Sequence, residues 1–188
     1  MIYLISSPYR VGSHYLQTII DSTDHQVIKT HNPHLKVDYE HTCLILLNRR
    51  NRFNAVMSAL VSGHTGVWFG RLPGVRQPKI DQYTAPYGGF KTQYKINKYY
   101  HQHHALSKPW NKIEQFYFED FLNFPNHVFD RLKIQQKRSI EFPIKSFYRY
   151  HDIIVNVDEC RKWYQELEDE SLSVLTKEEL DGLLIQSD

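Results

Sequence analysis

Apolar residues gather along this chain in short runs that end on polar or cationic ones. Ile2-Tyr3-Leu4-Ile5 has the length of a strand and stops at Ser6-Ser7-Pro8. After a turn, Leu16, Ile19 and Ile20 recur at helical spacing and predict a helix over 13–20. Gln26-Val27-Ile28 reads as a second short strand, closed by Lys29-Thr30-His31-Asn32-Pro33, where the proline stops further pairing. The third run, Thr42-Cys43-Leu44-Ile45-Leu46-Leu47, is apolar at nearly every position, as in a strand covered on both faces of a parallel sheet. Asn48-Arg49-Arg50-Asn51-Arg52 follows, then Phe53, Val56, Met57 and Leu60 on one helical face. This order predicts an α/β fold with a central, mainly parallel sheet. In such sheets ligands bind beyond the carboxyl ends of the strands, where these polar segments converge.

Beyond this point the pattern changes. Between 62 and 93, Gly63, Gly66, Gly70, Pro73, Gly74, Pro78, Pro86, Gly88 and Gly89 interrupt any period, while Trp68, Phe69, Tyr83, Tyr87 and Phe90 supply aromatic surface. A loop this long in a compact domain suggests a substrate lid. Further on, the spacing predicts a helix over 94–106, a strand over 113–118 and a helix over 121–132 broken at Pro125. A strand over 153–155 and a helix over 158–167 capped by Asp158 follow. Thr176-Lys177-Glu178-Glu179 has the form of a capping box opening a last helix with Leu180, Leu183 and Leu184.

The chain has 188 residues, which suits a single domain over 1–188. A formal charge of +2 gives no reason to expect a polyanionic partner such as nucleic acid. Cys43 and Cys160 are too few for a disulfide framework and fit a reducing compartment. Met1 leads straight into the first apolar run, so the expectation is a cytoplasmic protein with neither signal peptide nor membrane anchor. His101, His103 and His104 lack metal-ligand spacing and an accompanying carboxylate, so a surface histidine patch and no metal are expected.

The turn between the first strand and helix carries the sharpest local chemistry. A strand-to-helix loop presents backbone N–H groups and the positive end of a helix dipole to one point, and phosphate is the usual occupant. Arg10 adds a fixed charge there and Ser13 a hydroxyl donor.

With these motifs in place the chain resembles the sulfotransferases that use 3′-phosphoadenosine 5′-phosphosulfate (PAPS). Their first strand enters a loop of the form Pro-Lys/Arg-Ser-Gly-Thr-Thr-Trp, matched here by Arg10-Val11-Gly12-Ser13-His14-Tyr15 with Pro8 one residue upstream. The resemblance implies Arg10, Gly12, Ser13 and His14 around the 5′-phosphate and Tyr15 against adenine. Lys29-Thr30-His31-Asn32-Pro33 is similar to the family's Lys-Thr-His motif, which implies His31 as general base, with Lys29 and Arg10 stabilising charge on the transferring and leaving groups. Arg50-Asn51 with Ser58 eight residues after the arginine is similar to the pair that holds the 3′-phosphate. Tyr117-Phe118-Glu119-Asp120 is a looser match and implies no ligand role.

From the resemblance follow a P-loop NTPase-like three-layer α/β/α fold and in-line sulfuryl transfer from PAPS to a hydroxyl or amine, on a small-molecule or glycan acceptor. No metal is implied. The family's Arg-Lys-Gly loop at the 3′-phosphate has no counterpart, and Arg49, Arg52 and Arg138 are the candidate replacements. Two alternatives remain: a non-catalytic sulfotransferase-like nucleotide-binding protein, and a P-loop nucleotide kinase, whose Gly-x-x-x-x-Gly-Lys-Ser/Thr motif is missing.

Overall fold

The computed structural model describes residues 1–66, 81–104, 106, 108–141, 149–170 and 176–179. Contacts group the chain into two compact units, Met1–Arg50 with Tyr100–Pro143, and Asn51–Tyr99 with Ile144–Asp188. The two units therefore alternate along the sequence, each made of two segments. Length alone suggests one domain, and nothing in the hydrophobic pattern marks this interleaving.

The first unit is built on four strands, β1 (Ile2–Ser6), β2 (Gln26–Thr30), β3 (Thr42–Asn48) and β4 (Lys112–Tyr117). They form one parallel sheet in the order β2-β1-β3-β4. An α/β fold with an all-parallel sheet is thus what the strand-loop-helix order leads to. The central strands are the apolar ones, since Leu4, Ile5, Cys43, Leu44, Ile45 and Leu47 are all buried. The edges are treated differently. β2 is only partly covered, and β4 alternates exposed with covered positions, with Glu114 held between Lys112 at 2.7 Å and Arg131 at 2.8 Å. Charged side chains along an edge discourage pairing with another chain.

Helix α1 (Ser13–Asp21) buries Leu16, Ile19 and Ile20, the face expected from their spacing. Its last turn is closed by the Ser22 and Thr23 hydroxyls, which donate to the carbonyls of Ile19 and Ile20 at 2.6 and 2.7 Å. The Lys137 and Arg138 amides both donate to the Ser22 carbonyl, and Arg138 Nη2 donates to that of Thr23 at 2.7 Å. In the chain after β4, α4 (Phe118–Phe121) stops before Pro125, which caps α5 (Asn126–Leu132). The expected strand over 113–118 therefore ends one residue early, and the expected helix over 121–132 is two short ones broken at the proline.

The second unit is helical, with α2 (Arg52–Thr65), α3 (Tyr87–Tyr99), α6 (Tyr150–Ile153) and α7 (Val157–Asp169). Val56, Met57, Leu60, Phe90, Tyr94, Ile153, Ile154, Cys160 and Leu167 belong to one buried cluster. Burial of each large side chain of this kind contributes about 1.5–3 kcal/mol, so the cluster is ample reason for the unit to hold together. Three expectations change here. The strand over 153–155 is the end of α6 plus a lone bridge, in which the Tyr83 amide donates to the Ile153 carbonyl and the Val155 amide to that of Tyr83. One bridge lets β-branched residues lie extended without a sheet. Helix α7 begins at Val157, ahead of Asp158, and the preceding Asn156 spends its amide on the Ala85 backbone. Helix α3 starts at Tyr87, inside the expected loop over 62–93, and α2 runs on to Thr65.

Residues 67–80 of that loop, with Trp68 and Phe69, lie outside the described residues, as do Leu180, Leu183 and Leu184. The capping box itself is present: the Thr176 amide donates to Glu179 Oε2 at 2.8 Å and the Glu179 amide to Thr176 Oγ1 at 3.2 Å. Among the described residues no helix is long and apolar enough to cross a membrane.

The tightest constraint in the first unit lies at Gly12. Its φ is +89°, and a Cβ there would stand 2.1 Å from the Phe118 ring. Backbone and packing thus both exclude a side chain. Gly12→Ala is expected to lower stability by about 1–3 kcal/mol, measured as a shift of the urea midpoint. Adding Phe118→Ala should relieve the steric part of the loss and leave the backbone part.

Candidate functional site

Strand register assembles the site. Ser6 lies opposite Thr30 in β2 and Leu46 in β3, so the carboxyl ends of three strands lie side by side. The Ser7 amide extends the pairing by one bond to the Thr30 carbonyl at 3.3 Å. The loop then turns through Arg10, a non-glycine residue at φ +63°, and Gly12 before α1 begins at Ser13. A left-handed arginine costs about 1 kcal/mol or more, and such strain tends to sit where a side chain must be aimed.

The cationic side chains gather at this end of the sheet. Lys29, on β2, donates from Nζ to His14 Nε2 at 2.7 Å. An ammonium has only donors, so His14 is the neutral acceptor with its proton on Nδ1. Burial, then Lys29, His31 and Arg10, push its pKa down to about 4. Burial also lowers the pKa of Lys29. His31, one residue beyond β2, donates from Nδ1 to the Ser7 carbonyl at 2.8 Å. That bond puts the lone pair of the neutral ring on Nε2. Tyr9 covers the ring of His31, with centroids 4.3 Å apart.

Arg49, one residue beyond β3, reaches the same loop, with Nη1 3.4 Å from the Arg10 carbonyl oxygen. Burial and then the charge of Arg49 lower the pKa of Arg10, while burial lowers that of Arg49 against the opposing pull of Glu119. Both guanidinium groups remain charged near neutrality. Arg49 meets Glu119 at 3.6 Å and the Phe118 ring at 5.1 Å.

Beneath the loop is a buried polar layer. Ser6 Oγ hydrogen-bonds His104 Nε2 at 2.8 Å and the Tyr100 hydroxyl at 3.2 Å. His101 donates from Nε2 to the Leu47 carbonyl at 3.1 Å. His104 is 7% exposed, and burial ahead of its histidine neighbours brings its pKa to about 3. Burial brings that of His101 to about 4. The expected surface histidine patch is therefore partly interior. The short 3-10 turn Tyr100–His103 carries Tyr100 and His101 and leads into His104, so that Ser6 meets His104 while the Leu47 carbonyl meets His101. Among the described residues no group of three or more His, Cys, Asp or Glu side chains is arranged to hold a metal. Ser7 is fully buried, and its Oγ has no hydrogen-bond partner among the described residues. An orphaned buried hydroxyl is the kind of donor that a bound anion would satisfy.

Of the residues the sequence singles out, Arg10, His14, Lys29 and His31 come together. Gly12 lies on Phe118, and Ser13 is buried as the first residue of α1. Tyr15, the residue matched to the adenine position, packs against Phe118 and Phe121 and donates its hydroxyl to the Leu122 carbonyl at 2.9 Å. Arg50 points to Asp120, donating to both carboxylate oxygens at 2.8–3.0 Å, with its guanidinium 4.3 Å from the centre of the Tyr117 ring. Its amide donates to Glu119. Ser58 lies on α2, in the second unit.

The three candidate replacements for the absent loop separate clearly. Arg49 borders Arg10, while Arg52 pairs with Glu168 at 3.0 Å in the second unit. Arg138 is bound to the last turn of α1, about 13 Å along the helix from the loop. Ser7 and the Ser6, Tyr100 and His104 layer went unnoticed in the sequence. The one signal they leave is a pair of serines ending an apolar run.

Comparison with protein-family models, with curated proteins and with solved structures gave no match in any of the three.

The buried histidines set an acid limit on stability. Their folded pKa values lie below the ordinary 6.5, so between about pH 6.5 and 4 the unfolded chain binds protons that the folded chain refuses. Stability should therefore fall with acidification through this window, by up to about 1.4 kcal/mol per pH unit for each of His101 and His104. Urea unfolding at half-unit pH steps measures the slope, and His104→Gln should reduce it by up to one proton.

Proposed function

We propose that the first unit is a PAPS-dependent sulfotransferase domain with a P-loop NTPase-like three-layer α/β/α fold. It transfers a sulfuryl group to a hydroxyl or amine of a small-molecule or glycan acceptor. The observation that carries this reading is the convergence of Arg10, His14, Lys29, His31 and Arg49 at the carboxyl ends of parallel β1, β2 and β3. Such a site suits a sulfate or phosphate ester, and the orphaned Ser7 hydroxyl fits the same ligand.

PAPS would supply the sulfuryl group on a phosphate leaving group. What the chain contributes is positioning and charge. His31, fixed by the Ser7 carbonyl, offers Nε2 as the proton acceptor for the nucleophile. Arg10 and Lys29 supply positive charge where negative charge grows on the leaving oxygen, and Arg49 adds to it from β3. None of these steps requires a metal.

A second reading, a nucleotide-binding protein without transfer activity, is favoured by one observation. Arg50, the residue matched to the 3′-phosphate, is bidentate on Asp120. An exposed ion pair of this kind is screened by water and yields readily to a better-placed anion. The two readings therefore part on activity rather than on binding.

Calorimetry with PAP (the desulfated product), 5′-AMP, ATP and GTP, with and without magnesium, is the first test. Metal-independent binding of PAP, at least about tenfold tighter than 5′-AMP and weakened about tenfold or more by Arg10→Ala, is the expected result. Equal binding of PAP and 5′-AMP would remove the 3′-phosphate assignment. In a labelled-sulfate assay over an acceptor panel, His31→Ala should abolish transfer while leaving PAP affinity nearly unchanged; turnover equal to the unmodified protein would take His31 out of the mechanism.

A further inference from the structure

The hydrogen bond between Lys29 and His14 has a consequence for how the crevice takes an anion. His14 is the second residue of α1, a helix with no acidic side chain in its first turn. The groups that face it are Lys29 on β2, His31 just beyond β2 and Arg10 in the loop. Behind these stand Arg49 against Arg10, Glu119 against Arg49, and Tyr9 on His31. With cations on several sides, His14 is neutral, and only as a neutral ring can it accept the Lys29 N–H at 2.7 Å. An anion entering the crevice reverses the local field. Repulsion from Lys29 and Arg10 is then cancelled by the ligand's own charge, and the charged imidazole becomes the better state.

We propose that His14 takes up a proton when a sulfate or phosphate ester occupies the crevice, and that this breaks its bond to Lys29 and turns the ammonium onto the anion. The proposal rests on the crevice being an anion site as read above, and it deepens that reading by making the affinity proton-linked. The proton comes from solvent on binding and returns there on release. In the resting protein His14 occupies one hydrogen of Lys29; in the loaded protein both side chains donate to the ligand. The threonine that the sulfotransferase motif has at this position could not make that exchange, since a hydroxyl does not titrate in this range.

The sign of the linkage follows. Protonation is favoured in the loaded state, so affinity rises as pH falls from about 7 towards 4, and levels off once His14 is charged in the empty protein as well. Phosphate esters lose their second charge in the same range, which would mask the effect. Sulfate remains doubly charged throughout, so it is the probe.

The experiment is calorimetry of inorganic sulfate, and separately of PAP, on the full chain at pH 6 in buffers of different ionisation enthalpy. Imidazole-proton NMR of His14 and His31 accompanies it. The expected result is uptake of about 0.3–1 proton per sulfate, affinity rising about two- to tenfold per pH unit, and an upward shift in the His14 titration. In His14→Asn the uptake per bound sulfate should fall to nearly zero, while in His31→Asn the uptake per bound sulfate should persist.

Sulfate binding with no buffer dependence and an unmoved His14 titration overturns the proposal, as does uptake that survives His14→Asn and vanishes in His31→Asn. Sulfate binding without proton uptake, with PAP still bound more tightly than 5′-AMP, overturns the proposal and leaves the nucleotide reading intact. Proton-linked sulfate binding with no added affinity for PAP supports the proposal and removes the nucleotide. Absence of any anion binding ends both.

Discussion

The parallel register of β1 against β2 and β3 is the constraint on which the rest of the first unit depends. Because Ser6 is opposite both Thr30 and Leu46, whatever follows each strand emerges at the same edge. The residues that follow are Ser7 to Arg10, His31 and Arg49. A one-residue slip of β2 would move His31 away from the Ser7 carbonyl and turn every β2 side chain to the other face. The chemistry at the crevice is therefore held by backbone hydrogen bonds in the sheet.

Building such a site carries evident costs. Like charges are brought together, Arg10 adopts a left-handed backbone, and Gly12 has a ring pressed against the place where any side chain would go. Ser6, Tyr100 and His104 form a polar layer where an apolar one would have been simpler. Each feature runs against local preference, and their coincidence at the end of one sheet is the reason to read it as a candidate site.

How much of this was legible in the sequence follows from what each element depends on. β1, β3 and α1 are specified by their own apolar patterns and were readable. So was the meeting of Arg10, Lys29 and His31, because parallel strands must end on the same side. His104 was not readable as an interior residue, since its burial depends on Ser6, nearly a hundred positions away. The short helix at Tyr150–Ile153 was likewise hidden. Its β-branched residues favour extended backbone, and only the single bridge to Tyr83 shows that they pair with one residue and no sheet. The Gly12 requirement was half visible: the glycine suggested a tight turn, but Phe118, which closes the space beside it, lies in a motif matched for other reasons.

The neighbouring pair Arg49 and Arg50 shows where spacing alone misleads about priority. The eight-residue interval to Ser58 draws attention to Arg50, yet the two arginines, which follow the end of β3, meet different partners. Arg49 turns to the loop and Arg10. Arg50 turns to Asp120 and the Tyr117 ring, and its guanidinium gains protonation stability first from its hydrogen bonds to Asp120. The positive charge closest to the Arg10 loop therefore belongs to the arginine that the motif does not emphasise. On the proposed reading, a ligand with a single anionic group would draw on Arg10, Lys29 and Arg49 and leave the Arg50–Asp120 pair in place. A ligand with a second phosphate must compete with Asp120 for Arg50, so the balance between that carboxylate and the ligand decides whether the site discriminates in favour of two phosphates or accepts one.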